Sequence, residues 1–122
     1  TRVRSYWAWH HAHVTAHRGV ATEKIEALWD YETSPLFSDA ERAALALAQA
    51  AASHPNRAEQ AHFTALDGHF SAAEQSEIVA VIALFGFLNR WNDTLATPLE
   101  DSPLAFAEAH LAPRGWKSTR HT

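Results

Sequence analysis

Phe37-Ser38-Asp39-Ala40-Glu41-Arg42-Ala43-Ala44-Leu45-Ala46-Leu47-Ala48-Gln49-Ala50-Ala51-Ala52 is the stretch that decides the fold. Ser38 and Glu41 stand three apart, as the N-cap and N3 positions of a capping box do. The hydroxyl serves the N3 amide while the carboxylate reaches back to the N-cap amide. Alanine and leucine follow, two of the strongest helix formers, and their small side chains permit close packing of one helix on another. The spacing predicts a helix from this box to about Ala52, broken by His54-Pro55.

Working outward, the same grammar recurs. Asn56-Arg57-Ala58-Glu59 offers a second box, for a helix carrying His62, Phe63 and Leu66 as far as Asp67-Gly68. Ser71-Ala72-Ala73-Glu74 offers a third, opening the most apolar helix of the chain. From Ile78 to Leu88 that helix is hydrophobic on nearly all sides, which predicts burial within the domain or between subunits and falls short of a bilayer's thickness. Beyond it come Asn89-Arg90-Trp91-Asn92-Asp93, with Arg90, Asn92 and Asp93 expected to satisfy helix ends and subunit contacts. Ser102-Pro103 then predicts a serine cap and a proline at the first position of a short last helix. On the other side, Thr22 is the expected N-cap of a short helix with Ile25, Leu28 and Trp29 on one buried face, ended by Ser34-Pro35. A first helix is expected from about Arg2 to Arg18, closed by a left-handed Gly19. No segment alternates apolar and polar residues over a useful length, and no Asn-Gly or Asp-Gly hairpin lies between β-branched runs. The fold class is therefore all-α, about five to six helices, with no sheet of three or more strands.

Composition narrows the partners. A chain of 122 residues, 47% hydrophobic, is expected to form one domain over 1–112 with a loosely held tail over 113–122. The formal charge of -4 gives no basic footprint for nucleic acid or an anionic membrane. With no cysteine, no signal-like segment and no apolar run of 18 residues, the default location is the cytoplasm. The chain starts at Thr1 and contains no methionine, so its natural start is expected to lie upstream.

Chemistry concentrates in Arg4 to Gly19, which holds four of the nine histidines and two of the five tryptophans. At 100° per residue this stretch shows two polar stripes, Arg4, Trp7, His11 and Arg18 along one and Tyr6, His10, His13 and His17 along the other. A core-packing helix shows one apolar face instead.

Tyr31-Glu32-Thr33-Ser34-Pro35-Leu36-Phe37-Ser38-Asp39-Ala40-Glu41-Arg42-Ala43-Ala44-Leu45-Ala46-Leu47-Ala48, with Phe70 and Asn89-Arg90-Trp91-Asn92-Asp93, resembles the carboxymuconolactone decarboxylase and alkylhydroperoxidase D-like (AhpD-like) family. The resemblance covers roughly residues 4 to 100, and its most specific element is Leu-Phe-Ser-Asp-x-Glu-Arg-Ala-x-Leu-Ala. It implies an all-helical domain and a homo-oligomer, a dimer, trimer or hexamer, built on the apolar helix around Val79 to Phe87 and some of the tryptophans. Peroxidase members carry Cys-x-x-Cys-x-x-x-His, with the histidine eight residues before the closing glycine. Counted back from Gly19, that histidine is His11, and the two cysteine positions fall on Arg4 and Trp7. Neither side chain forms a thiolate, so direct thiol peroxidase chemistry is excluded. In the family a proton-relay glutamate precedes the motif, a position that these 122 residues do not include.

What remains favours acid-base work. The imidazole of His11, with His10 beside it, moves protons near neutral pH, and Arg4 offers a forked donor matched to a carboxylate. Tyr6, Trp7 and Trp9 are candidate substrate-binding walls. The decarboxylating members need no redox thiols and no organic cofactor. By that resemblance the first expectation is a cofactor-independent decarboxylase, lyase or isomerase acting on a small unsaturated carboxylate or lactone. A second is a peroxidase-like protein that has lost its cysteines, whose redox route would need a metal. A third is a non-catalytic oligomeric protein that binds a small ligand. Each residue also has a plain structural role open to it, His11 as a satisfied buried histidine and the aromatics as core or interface. No metal is expected, although His10, His13 and His17 have helical spacing, because no carboxylate sits among them. His54, His62, His69, His110 and His121 are assigned no role.

Overall fold

The computed structural model describes residues 18–98 and 100–115. Its elements in chain order are α1 (Thr22–Glu26), a 3-10 turn (Ala27–Asp30), α2 (Asp39–Ala51), α3 (Gln60–Asp67), α4 (Ala72–Leu95), α5 (Asp101–His110) and a second 3-10 turn (Ala112–Arg114). There is no strand among the described residues, as the capping pattern requires.

The chain divides into two compact units, Asp30–Gly86 and the residues on either side of it. In the first, α2 and α3 pack together. Leu47 and Leu66 are its most deeply buried side chains, 1% and 0% exposed, joined by Tyr31, Phe37 and Ala50. The deciding box forms as read: Ser38 N–H donates to Glu41 Oε2 at 2.8 Å, and Glu41 N–H to Ser38 Oγ at 3.2 Å. Arg42, in the next turn, clamps the preceding loop onto α2. Its Nη2 donates to Ser34 O at 2.7 Å, its Nε to Tyr31 O at 3.2 Å and its Nη1 to Asp39 Oδ1 at 2.9 Å. The Tyr31 hydroxyl donates to Gln49 Oε1 at 2.9 Å, so this loop is held from both ends of its first residue. At the start of α4, Ser71 N–H donates to Glu74 Oε2 at 2.7 Å, and these bonds from Ser71 hold the Glu74 carboxyl below its usual range.

Four local expectations need correction. Thr22 is the first helical residue and Ala21 the N-cap, because Lys24 N–H already bonds to Ala21 O at 3.0 Å. The chain then tightens to 3-10 geometry, so Ile25 is buried while Trp29, 45% exposed, turns off the face it was expected to share. The second box sits three residues later than read. Asn56 Oδ1 accepts from Ala58 N–H at 2.8 Å in an Asx turn, and α3 is opened by Glu59, whose N–H donates to His62 Nδ1 at 3.0 Å. The last helix begins at Asp101 with Glu100 as N-cap, not at Ser102, and Pro103 is its third residue, within the first turn. Proline is harmless there because first-turn amides have no intrahelical acceptor.

The largest correction is α4. It does not stop at Leu88 but runs 24 residues, through Asn89-Arg90-Trp91-Asn92-Asp93. At 1.5 Å per residue it is roughly 36 Å long. An 18-residue window of it has a mean hydropathy of 1.3, so it meets the length and composition of a membrane-crossing helix that the shorter reading denied it. It ends with Ala96 in the left-handed region, φ 49°, where Thr97 N–H returns to Asn92 O at 3.1 Å.

The second unit contains α1, the C-terminal part of α4, and α5. Ile25, Ala107 and Leu111 are buried in it, together with the polar Asn92. Gly19 has φ 89°, the left-handed conformation expected of a helix-closing glycine.

Candidate functional site

All six residues nominated for the site, Arg4, Tyr6, Trp7, Trp9, His10 and His11, lie outside the described residues, as do His13 and His17. What is described is the chain that leaves this stretch: Gly19 in its left-handed turn, then α1. Among the described residues no three His, Asp or Glu side chains come together as a metal site.

Within the unit that α1 shares with α5, one acid-base pair is formed. Glu26, at the end of α1, meets His110, at the end of α5, with Oε1 and Nδ1 2.8 Å apart. Both side chains are about one-third exposed. The Phe106 ring lies 4.5 Å from the imidazole, centroid to centroid, one turn earlier on α5. A carboxylate on Nδ1 fixes the ring's orientation and, in the neutral tautomer, leaves the Nε2 lone pair as the free proton acceptor. The pair also ties the two helices together. Sequence reading assigned His110 no role, and no spacing signal joins residues 84 positions apart.

The two faces of α4 differ in what they ask for. Ile78, Ile82, Phe85, Leu88, Asn89 and Asn92 recur every three or four residues and are partly or fully covered. On that otherwise apolar stripe the two asparagines behave oppositely. The Asn92 side chain is satisfied, its Nδ2 donating to Leu88 O of its own helix at 2.9 Å, while its carbonyl accepts the closing bond at the helix end. Asn89 Oδ1 is shut off from solvent and has no hydrogen-bond partner. A signal for Asn89 was present in the sequence, an amide placed at helical spacing among apolar residues. The run of polar residues from Asn89 to Asp93 masks that signal, because it resembles a helix boundary.

The opposite face is apolar and uncovered. Leu84, Phe87, Trp91 and Leu95 form one stripe, each more than half exposed, with the Phe87 and Trp91 rings 5.9 Å apart. The expected burial of this helix within the domain is therefore not what these side chains do.

No family model matches the chain. Over 85 residues it is 38% identical to the uncharacterised protein YnjA of Escherichia coli (strain K12), an alignment covering 70% of this chain and 47% of that one. Among solved structures it is similar to the debrominase Bmp8, both in its apo form and as a cysteine-to-alanine variant in complex with 2,3,4-tribromopyrrole. The complex matches with a TM-score of 0.78 at 36% identity, over 83% of this chain and 54% of the debrominase. The apo form matches with 0.77 at 36% identity, over 82% and 54%. The chain thus spans about half the length of these relatives and shares with the debrominase the arrangement of helices over most of its own length.

Proposed function

We propose that this chain is a small-molecule enzyme of the carboxymuconolactone decarboxylase and AhpD-like family that works without a thiol. In this reading it moves a proton on a small unsaturated carboxylate or lactone, as a decarboxylase, lyase or isomerase would. His11 is the acid-base group, assisted by His10. Arg4 holds the substrate's anion, and Tyr6, Trp7 and Trp9 wall the site. The observation that carries the reading is the likeness to an enzyme acting on a small unsaturated ring, joined to a sequence with no cysteine at all. Any step that makes or breaks a bond at cysteine sulfur is closed to this chain, whereas proton transfer by imidazole is open to it. The protein works in the cytoplasm as a homo-oligomer that covers the Leu84, Phe87, Trp91 and Leu95 stripe, since so continuous an apolar row is otherwise left in water.

The test is hydrogen exchange in heavy water. A γ-lactone bearing a carboxylate and a β,γ double bond is incubated with the protein and followed by proton NMR. Deuterium uptake at the acidic carbon, double-bond migration or loss of the carboxylate supports the reading. A substrate unchanged at high enzyme concentration removes it. One observation favours a second reading, a binding protein without turnover: the debrominase variant lacking one cysteine was captured with its ligand. Saturable binding of such a ring with no chemistry is the outcome that reading requires.

A further inference from the structure

We infer that His110 is a nucleophilic site in its own right, whose Nε2 takes an acyl group from a neutral aryl ester while Glu26 acts as its positioning residue. Among the described residues, His62 and His110 both have Nδ1 engaged, and their partners set opposite tautomers. His62 Nδ1 accepts the backbone N–H of Glu59 at 3.0 Å, so the proton of the neutral ring stays on Nε2 and that nitrogen has no lone pair to offer. His110 Nδ1 faces Glu26 Oε1 at 2.8 Å. An ionised carboxylate can only accept, so here Nδ1 carries the proton and Nε2 keeps its lone pair. Both side chains belong to one compact unit and are about one-third exposed, so the ring is open to a molecule arriving from solvent. In the reaction the Nε2 lone pair adds to the ester carbonyl carbon, the bond to the aryl oxygen breaks, and the phenolate leaves with its electron pair. The ring then bears a positive charge, which the Glu26 carboxylate faces across the Nδ1–H bond. Water adds to the acylated carbon and the C–N electrons return to Nε2, so that ester and water become carboxylic acid and phenol. The Glu26 carboxylate, with Glu23 one turn earlier on α1, repels an anionic donor, and the Phe106 ring 4.5 Å from the imidazole makes the adjoining surface apolar. A neutral aromatic donor fits both. This chemistry goes beyond the proton transfer assigned to His11 and stands or falls without it.

The probe is p-nitrophenyl acetate, with release of p-nitrophenolate followed by its absorbance, and acetyl phosphate is its anionic counterpart. Rates are measured for the wild type, His110→Ala, His62→Ala, Glu26→Ala and Glu26→Gln, each beside its thermal midpoint. In the wild type, mass spectrometry of the quenched reaction should find acetyl on His110 well ahead of His62, a result that needs no variant to fold. Glu26→Ala should slow acetylation of His110 about tenfold, the worth of one hydrogen bond to a charged ring. Glu26→Gln, which keeps an acceptor for the Nδ1–H but no charge, should fall between Glu26→Ala and the wild type. His110→Ala should lose at least as much ester cleavage as Glu26→Ala does, and His62→Ala should leave it unchanged. Acetyl phosphate should label His110 more slowly than the ester. The inference is overturned if His62 is acetylated as fast as His110, or if a folded His110→Ala cleaves the ester at the wild-type rate. It is overturned equally if Glu26→Ala and Glu26→Gln acetylate at the wild-type rate with only their midpoints lowered, as a purely structural tie between α1 and α5 would give. Preference for acetyl phosphate over the ester overturns the neutral class of donor.

Discussion

Replacing Asn89 by leucine is expected to stabilise the protein, an unusual sign for a substitution on a covered helix face. An acceptor buried without a partner costs about 1–3 kcal/mol in desolvation, and leucine removes that cost while keeping the branching of the side chain. The neighbouring Gly86 leaves open space one turn away, so the larger methyl groups have somewhere to go. Leucine is also the better helix former. Asn92 supplies the internal comparison. It is buried on the same stripe but donates to Leu88 O at 2.9 Å, so Asn92→Leu loses a made bond and should cost about 0.5–1.5 kcal/mol. For a domain of this size about 3–6 °C in thermal midpoint corresponds to each kcal/mol. Differential scanning calorimetry of the two variants beside the wild type should therefore move the midpoints in opposite directions. A fall of several degrees for Asn89→Leu would mean that the amide makes a structural bond. That result refutes the orphaned oxygen.

Gly19 and Gly86 should answer alanine in opposite senses under chemical denaturation. Gly19→Ala, at φ 89°, loses about 1–2 kcal/mol, whereas Gly86→Ala, helical with nothing near its Cβ, gains about 0.5–1 kcal/mol. On the exposed stripe, the double change Phe87→Lys with Trp91→Lys should lower the mass measured by light scattering from oligomer to monomer; a wild type that is already monomeric at high micromolar concentration removes the proposed interface. Tyr31 gives the pH dependence. Burial first, and then the charge and hydrogen bond of Glu32, raise its phenol above the ordinary value. The fold therefore favours the neutral phenol, a contribution fully present below about pH 10 and lost as pH rises through the folded-state value. Denaturation at alkaline pH should show the wild type losing more stability than Tyr31→Phe does over the same window, and equal losses would contradict the burial of this hydroxyl.

Where local chemistry alone sets the structure, the sequence was legible. Ser38 with Glu41 and Ser71 with Glu74 need only their own three-residue spacing to form, and both boxes stand where that spacing puts them. Gly19 takes its left-handed turn because glycine pays no Cβ penalty there. Legibility failed where several residues competed for one cap. Asn56 spends its oxygen on an Asx turn, so Glu59 and His62 take over the start of α3. It fails also where a run of polar residues resembles a boundary. Asn89, Arg90, Asn92 and Asp93 continue a helix as readily as they end one, with neither glycine nor proline among them to stop it. The pair of Glu26 with His110 and the clamp of Arg42 on Tyr31 O and Ser34 O were out of reach for a different reason. Each depends on how elements pack, which no periodicity within one element encodes. The six residues nominated for the site rest on their pattern and on the family resemblance, and their geometry lies outside the described residues.

The measurement that bears most directly on the thiol-free acid-base reading is the exchange rate of His11→Ala on the lactone probe, taken beside its thermal midpoint. With the midpoint held, the rate should fall on the order of 10²- to 10⁴-fold, the usual contribution of one general acid or base. Arg4→Ala should act mainly on KM, as the loss of an anion holder does. His62→Ala, which touches only the start of α3, should keep the wild-type rate. A His11→Ala protein that exchanges at the full rate, or that slows only as far as it unfolds, contradicts the account and moves the proton-transferring group away from the Arg4 to Gly19 stretch.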